Sequence, residues 1–234
     1  METLLKNAPM DIIEKRSQYR LIVTSGPTRE FIDSIRFLSN PSTGRMGYHI
    51  ARAGVNMGYH VTYIHGPVPS EFHHVDGAES VSVESTIEML NSVLEHIQEK
   101  TILIMAAAPA DYRPEKRFEH KLKKKENPEI KLVPNPDILL SVGNYINENH
   151  IPQVALVGFA AEIQNPHEYA VSKLERKNLD FIFLNDLSKP GSGFGVDTNE
   201  ITVIRKDKSF DKWGPDTKEK LGYRVIREVE RWLP

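Results

Sequence analysis

Leu21-Ile22-Val23-Thr24-Ser25-Gly26-Pro27-Thr28-Arg29-Glu30, continuing through Arg36-Phe37-Leu38-Ser39-Asn40-Pro41-Ser42-Thr43-Gly44, is the stretch on which the reading of the chain turns. Leu21 to Thr24 is a short, largely β-branched run that stops at Ser25-Gly26-Pro27. A helical pattern resumes only at Thr43, with apolar or small residues at Met46, Ile50, Ala53 and Met57. A strand is thus joined to a helix by a connection far longer than the roughly 2 to 6 residues usual in βα units. Such a loop is either disordered or functional. Phe31, Ile32, Ile35, Phe37 and Leu38 give this one apolar anchors, which favours a functional loop at the carboxyl edge of a parallel sheet.

The chemistry of the loop suits an anion. Thr28, Ser39, Asn40, Ser42 and Thr43 bring hydroxyls and an amide, Arg29 and Arg36 bring bidentate forks, and Gly26 and Gly44 let backbone come close to a ligand. A helix opening near Thr43 or Gly44 adds unpaired N–H groups and a positive dipole end. No G-x-G-x-x-G follows the strand and no G-x-x-x-x-G-K-[ST] occurs, so the usual dinucleotide grip and the P-loop are both missing.

With 234 residues, 39% apolar and 26% charged, the chain predicts one globular domain over 20–234 behind an N-terminal extension, residues 1–19, that reads as frayed or as an arm on a partner. Formal net charge is −2, which argues against nucleic acid or a membrane surface as partner. Cysteine is absent. That removes thiolate nucleophiles and Cys metal sites and fits a reducing compartment. No stretch approaches the roughly 18 apolar residues of a membrane span, and the expected location is cytoplasmic.

Further along, His60 to Ile64, Glu79 to Val83, Thr101 to Met105, Ile130 to Val133, Val154 to Val157 and Asp180 to Leu184 read as strands. Ser85-Thr86-Ile87-Glu88 makes a capping box for one helix, Asn135-Pro136 opens the next, and Asn165-Pro166-His167-Glu168 opens a third, placing Lys173 and Lys177 one turn apart. His73 and His74 read as solvated loop residues rather than metal ligands. Residues 114–128 are polar and basic, either a solvated face or a flap carrying a lysine onto phosphates. Glu200 to Arg205 with Lys208 to Lys212 predicts a terminal hairpin, and Asp216 to Leu233 a closing helix. The fold class is therefore α/β: a Rossmann-like, mostly parallel sheet with helices on both faces and a C-terminal hairpin and helix extension. The ends of its strands at Ser25 to Asn40, Ala106 to Asp111 and Phe159 to Glu162 share one edge.

The segments TSGPTREFIDSIRFLSNPSTGRMG, AAAPADYRPE with Lys121 beyond it, NPDIL, VGFAAE, KLERKNLDFIFLND and GSGFGVDTNEITVI resemble, in order over about residues 20 to 205, the motifs of phosphopantothenate-cysteine ligases of the bacterial, CTP-using type. The chain looks like a stand-alone form, without the flavin-dependent decarboxylase to which the domain is often fused. The resemblance implies a ligation of 4'-phosphopantothenate to L-cysteine through an acyl-cytidylate, with CTP as co-substrate and Mg²⁺ beside it, in a homodimer that works alongside a separate decarboxylase. It assigns Asn40 and Lys121 to catalysis, and Arg36, Ser42, Ala107 and Ala108 to phosphopantothenate, Arg36 holding its phosphate within or across the dimer. Met105, Ala106, Ala107, Asp111, Pro136, Asp137, Ile138, Leu139 and Phe159 fall around the nucleotide, with Lys121, Lys173 and Lys177 on the triphosphate. It names no metal ligand. Phe31, Pro41, Arg45 and His120 depart from the common pattern. The rival readings are an NAD(P)-dependent oxidoreductase, which would want a glycine-rich first turn and an acidic residue where Ile64-His65-Gly66 stands, and a non-catalytic nucleotide-binding module, which would not need Arg36 and Asn40.

Overall fold

The structure is a computed structural model that describes residue 14 and residues 16–123, 129–186 and 197–233. Its strands are β1 (Arg20–Ser25), β2 (Arg29–Phe31), β3 (Phe37–Ser39), β4 (His60–His65), β5 (Glu79–Ser82), β6 (Thr101–Met105), β7 (Tyr112–Pro114), β8 (Leu132–Pro134), β9 (Val154–Glu162), β10 (Phe181–Asp186), β11 (Thr198–Arg205) and β12 (Phe210–Thr217). The helices that cover them are α1 (Arg45–Asn56), α2 (Thr86–His96), α3 (Ile138–Glu148), α4 (Pro166–Arg176) and α5 (Lys218–Glu230).

The alternation of side chains along each strand builds a sheet buried on both faces. On β1, Leu21 and Val23 point into one layer and Ile22 into the other; on β6, Ile102 and Ile104 oppose Leu103 and Met105. The first layer is closed by Ile50 and Ala53 of α1 and by Leu221, Val225 and Val229 of α5. The second is closed by Met89 and Val93 of α2, Val142 of α3 and Leu174 of α4. Each such aliphatic side chain removed from water contributes about 1.5–3 kcal/mol before entropy is counted.

The strands run β12-β11-β10-β9-β6-β1-β4-β5, with β5 through β10 mutually parallel and β11 and β12 antiparallel at one edge. From β1 the chain builds outward to β4 and β5, then crosses back to lay β6 on the opposite flank of β1. The order reverses between β1 and β6, and at such a switch point the loops part to leave a crevice outside the carboxyl ends.

The expected α/β architecture, with its terminal hairpin and helix, is the one observed. Several boundaries move. The long first loop contains its own hairpin, β2–β3, and residues 112–134 contain another, β7–β8. β9 continues through Glu162 because β10 runs beside it, pairing Phe159 with Phe183 and Ala161 with Asn185. Asp137, not Asn135, caps α3 by accepting from Leu140 N at 3.3 Å, since Asn135 is engaged elsewhere. β12 extends to Thr217, so α5 begins at Lys218, where the Thr217 side chain accepts from Lys220 N. Residues 16–19 are not frayed: Arg16 bonds Glu230 near the end of α5 and Met57 O, and both Arg16 and Tyr19 are buried.

Candidate functional site

Backbone geometry at the end of β1 creates the floor of the site. Gly26 has φ +78° and Gly44, at the N-cap of α1, φ +75°. A Cβ at Gly44 would lie 2.5 Å from Val68 Cγ1 and 3.0 Å from Ser25 Oγ. Only glycine reaches this conformation freely and only glycine fits. Ser25 Oγ then donates to Gly44 O at 2.7 Å, pinning the start of α1 to the end of β1. No side-chain cap closes α1 among the described residues, and the first-turn N–H groups of an uncapped helix suit an anion.

The neighbouring strand end is stitched to this floor. Ala108 N donates to Gly26 O at 2.8 Å, Ala110 N donates to Thr28 Oγ1 at 2.9 Å, and Thr28 and Thr86 share a hydroxyl bond at 2.9 Å. Glu30 accepts from Thr86 N, and the Asn135 amide donates to Ala110 O at 2.8 Å. Asn40 donates its amide to Ala108 O at 3.1 Å and to Pro109 O at 3.0 Å. Those donors are committed to backbone, so a donor role toward a substrate carbonyl requires these bonds to be exchanged.

Two adjoining cavities open over this edge. One, of about 390 Å³, is lined by Asn40, Ser42, Gly44, Ala106, Ala107, Ala108, Asp111, Phe159, Lys173 and Lys177, among others. The other, of about 570 Å³, shares Ala107, Asp111, Phe159 and Lys177 and is closed by Met105, Pro136, Asp137, Ile138 and Leu139. Lys173 is paired with Glu162, and Lys177 with Asp137 at 2.9 Å. Asp111 makes no ion pair among the described residues.

Arg36 and Lys121 line neither cavity. Arg36 sits in the turn between β2 and β3, where its guanidinium bonds Asp33 and reaches Leu122 O at 3.0 Å. Asp33 has no exposed side-chain surface and also accepts from Ile35 N, Arg36 N and Leu122 N. The Arg36 side chain, together with backbone donors, holds the Asp33 carboxyl well below the usual carboxylate range. Lys121, next to Leu122, is therefore tethered to Arg36 through Asp33. Of the candidate flap, residues 124–128 lie outside the described residues.

Sequence reasoning missed Asp33, Arg45, Asn185, Asn199 and Lys218. The last four line the first cavity. Arg45 is ion-paired with Asp197. Lys218 is buried, and burial followed by the nearby Arg45 charge pulls its ammonium down to about 8. The Oδ1 atoms of Asn185 and Asn199 are buried without a hydrogen-bond partner among the described residues. The available signal was the D-x-x-R turn for Asp33 and the placement of Asn185 at a strand end; nothing local marked Lys218.

No cluster of three metal-ligating side chains occurs among the described residues. His73 bonds Val68 O and stacks on His65. No helix among the described residues is long and apolar enough to cross a membrane.

Comparison with known proteins adds the following. The sequence model of the DNA/pantothenate metabolism flavoprotein C-terminal domain matches residues 16–233. The coenzyme A biosynthesis bifunctional protein CoaBC of Bacillus subtilis (strain 168) is 37% identical over 233 residues, 97% of this chain and 56% of that protein. The chain thus spans about half the length of such relatives. The crystal structure of the C-terminal domain of a CoaBC superposes with a TM-score of 0.77 at 34% identity, covering 94% of this chain and 97% of the other. A Cab2 variant in complex with phosphopantothenate-cysteine has the same fold, with a TM-score of 0.70 at 17% identity over 99% of this chain and 94% of the other.

Proposed function

The chain belongs to the DNA/pantothenate metabolism flavoprotein C-terminal domain family, and from that premise we propose that it is a cytoplasmic, CTP-dependent phosphopantothenate-cysteine ligase of coenzyme A biosynthesis. The observation that carries the proposal is the convergence of Asn40, Asp111, Lys173 and Lys177 on one crevice at the switch point of the sheet, beside the open N-terminus of α1.

In the first step a carboxylate oxygen of 4'-phosphopantothenate bonds to the α-phosphorus of CTP, the bond to the bridging oxygen breaks, and pyrophosphate leaves. In the second the amine of cysteine bonds to the acyl carbon, the acyl–phosphate bond breaks, CMP leaves and the surplus proton passes to solvent. Both steps gather negative charge on oxygen. Catalysis then rests on positioning and on fixed donors and cations. The α1 N-terminus, Lys173 and Lys177 are suited to phosphate oxygens, and Ser42 to the same region. Phe159, Met105 and the segment Pro136 to Leu139 line the second cavity, which is suited to base and ribose. The alanines Ala106 to Ala108 leave room for substrate against backbone, and Asn40 fixes that backbone. Mg²⁺ supplies charge neutralisation on the triphosphate when it is bound. Arg36 and Lys121 act from the two hairpin segments, which Asp33 ties together. The exposed Ile35, Phe37, Phe118 and Leu132 of those segments suit a second copy of the chain, which supports a homodimer in which Arg36 reaches the partner's substrate.

The test is pyrophosphate release with CTP and phosphopantothenate, then product formation on adding cysteine, with ATP at matched concentration expected to be the poorer nucleotide. In single turnover, Lys121→Gln should slow pyrophosphate release itself. Asn40→Asp should still form acyl-cytidylate but pass it to cysteine on the order of 100-fold more slowly, because a carboxylate replaces the amide against two carbonyls and repels the developing oxyanion. Asn40→Asp stopping cytidylate formation as fully as Lys121→Gln would remove Asn40 from the second step, and turnover with ATP equal to that with CTP would overturn the nucleotide assignment.

A further inference from the structure

Asn185, Asn199 and Lys218 form a buried polar corner of the first cavity with no role in the chemistry above. They come from β10, β11 and the start of α5. Asn199 is 6% exposed and Lys218 4%. Both carboxamide oxygens are buried without a partner among the described residues. Lys218 makes no ion pair and no side-chain hydrogen bond among the described residues, while Arg45, its cationic neighbour from α1, is engaged by Asp197. The closeness of α1 and α5 that sets these two cations near each other depends on Gly222, where a Cβ would meet His49 O at 2.7 Å.

Leaving an ammonium and two amide oxygens buried and unpaired is costly, most of all for the charge. Such a set is retained where a ligand completes it. The ligand must bring an anion for Lys218 and N–H donors for the two oxygens. A phosphate brings acceptors alone and would leave Asn185 and Asn199 unsatisfied. A zwitterionic amino acid brings both groups one carbon apart.

We infer that this corner is the amino-acid subsite: Lys218 takes the α-carboxylate, and Asn185 and Asn199 take the amine, of the amino acid that the proposed ligation joins to phosphopantothenate. The assignment rests on the ligase reading. It makes Lys218 the residue that selects an α-amino acid over a simple amine, and it keeps the nucleophile's nitrogen on acceptors within the cavity that Asn40 also lines. The lowered affinity of Lys218 for its proton fits a cation awaiting a counter-ion, since a bound carboxylate would offset the burial.

The experiment compares L-cysteine with cysteamine, which keeps the thiol and amine but lacks the carboxylate, as acceptors in the complete reaction with CTP and phosphopantothenate. Wild type should favour cysteine. Lys218→Met should lower kcat/KM for cysteine on the order of 10- to 100-fold, the loss of one charge-assisted contact, and that for cysteamine by less than about threefold, so the preference collapses. Asn199→Leu should lower both acceptors by similar factors, because both carry the amine. Because each comparison is a ratio within one variant, partial loss of folded protein cancels, and Lys218→Gln serves as a second variant. Equal losses for both amines in Lys218→Met, with pyrophosphate still released, would overturn the subsite alone. No pyrophosphate from wild type with CTP and phosphopantothenate would overturn the ligase reading, and the subsite with it.

Discussion

Gly44 does three things through one missing Cβ: it adopts φ +75°, it lets Ser25 Oγ reach its carbonyl, and it opens α1 without a side chain over the exposed N–H groups. Alanine there would cost about 1–2 kcal/mol for the left-handed backbone alone, before the contact with Val68 is relieved by movement. Gly44→Ala should therefore lower stability by roughly 2 kcal/mol or more in urea denaturation and weaken nucleotide binding, because the helix start shifts with it. An unchanged midpoint would mean that the α1 start is not the rigid floor described here. Residue identity explains this position well from sequence: Gly44 was legible as a glycine before a helix. Lys218 was not, since a lysine following a cap is ordinarily solvent-exposed, and only the packing of α5 onto α1 buries it.

At the level of elements, the first loop was legible as a long connection with its own apolar anchors, while its internal hairpin was not. Three-residue strands such as β2 and β3 are too short to display a period, and they exist because each pairs with the other and β2 packs beside β7. Asp33 joins the two hairpin layers, bonding Arg36 on one side and Leu122 on the other. Its folded pKa lies below its unfolded value, so its contribution is present above the unfolded carboxylate pKa of about 3.9 and is lost as pH falls through the folded value. Asp33→Asn should be less stable than wild type at neutral pH. The difference should shrink as pH drops below about 4, read from thermal midpoints across that range. It should also loosen Lys121, raising the KM for CTP. A stability gap that does not change with pH would show that the carboxylate charge is not what holds the hairpins together.

For the whole molecule, the sheet order has the largest consequence. It sets β1 beside β6, β6 beside β9 and β9 beside β10, so residues far apart in the chain meet at one edge. Beside the hairpins, Phe118 and Leu132 are exposed. If this surface pairs two copies, replacing both by glutamate should shift the sedimenting species from dimer to monomer, with each surface change altering monomer stability by only about 0.5 kcal/mol. Activity should fall along with the dimer, because Arg36 would no longer reach a partner's site. A fully active wild-type monomer at assay concentration would overturn the pairing.

The sequence by itself determined the alternation of strands and helices, the two buried faces and, through its ordered motifs, the family. These follow from local period and composition: a strand's alternation says which side chains are buried, whatever lies next to it. Tertiary structure alone decided that Asn185, Asn199 and Lys218 join Asn40 and Lys173 around one cavity, that the amide of Asn40 is spent on the carbonyls of Ala108 and Pro109, and that Arg36 is bound to Asp33 outside the cavity lining. The physical reason is that strand neighbours are chosen by long-range pairing and helix docking, whose free energy comes from contacts between segments and leaves no periodic trace in any one of them.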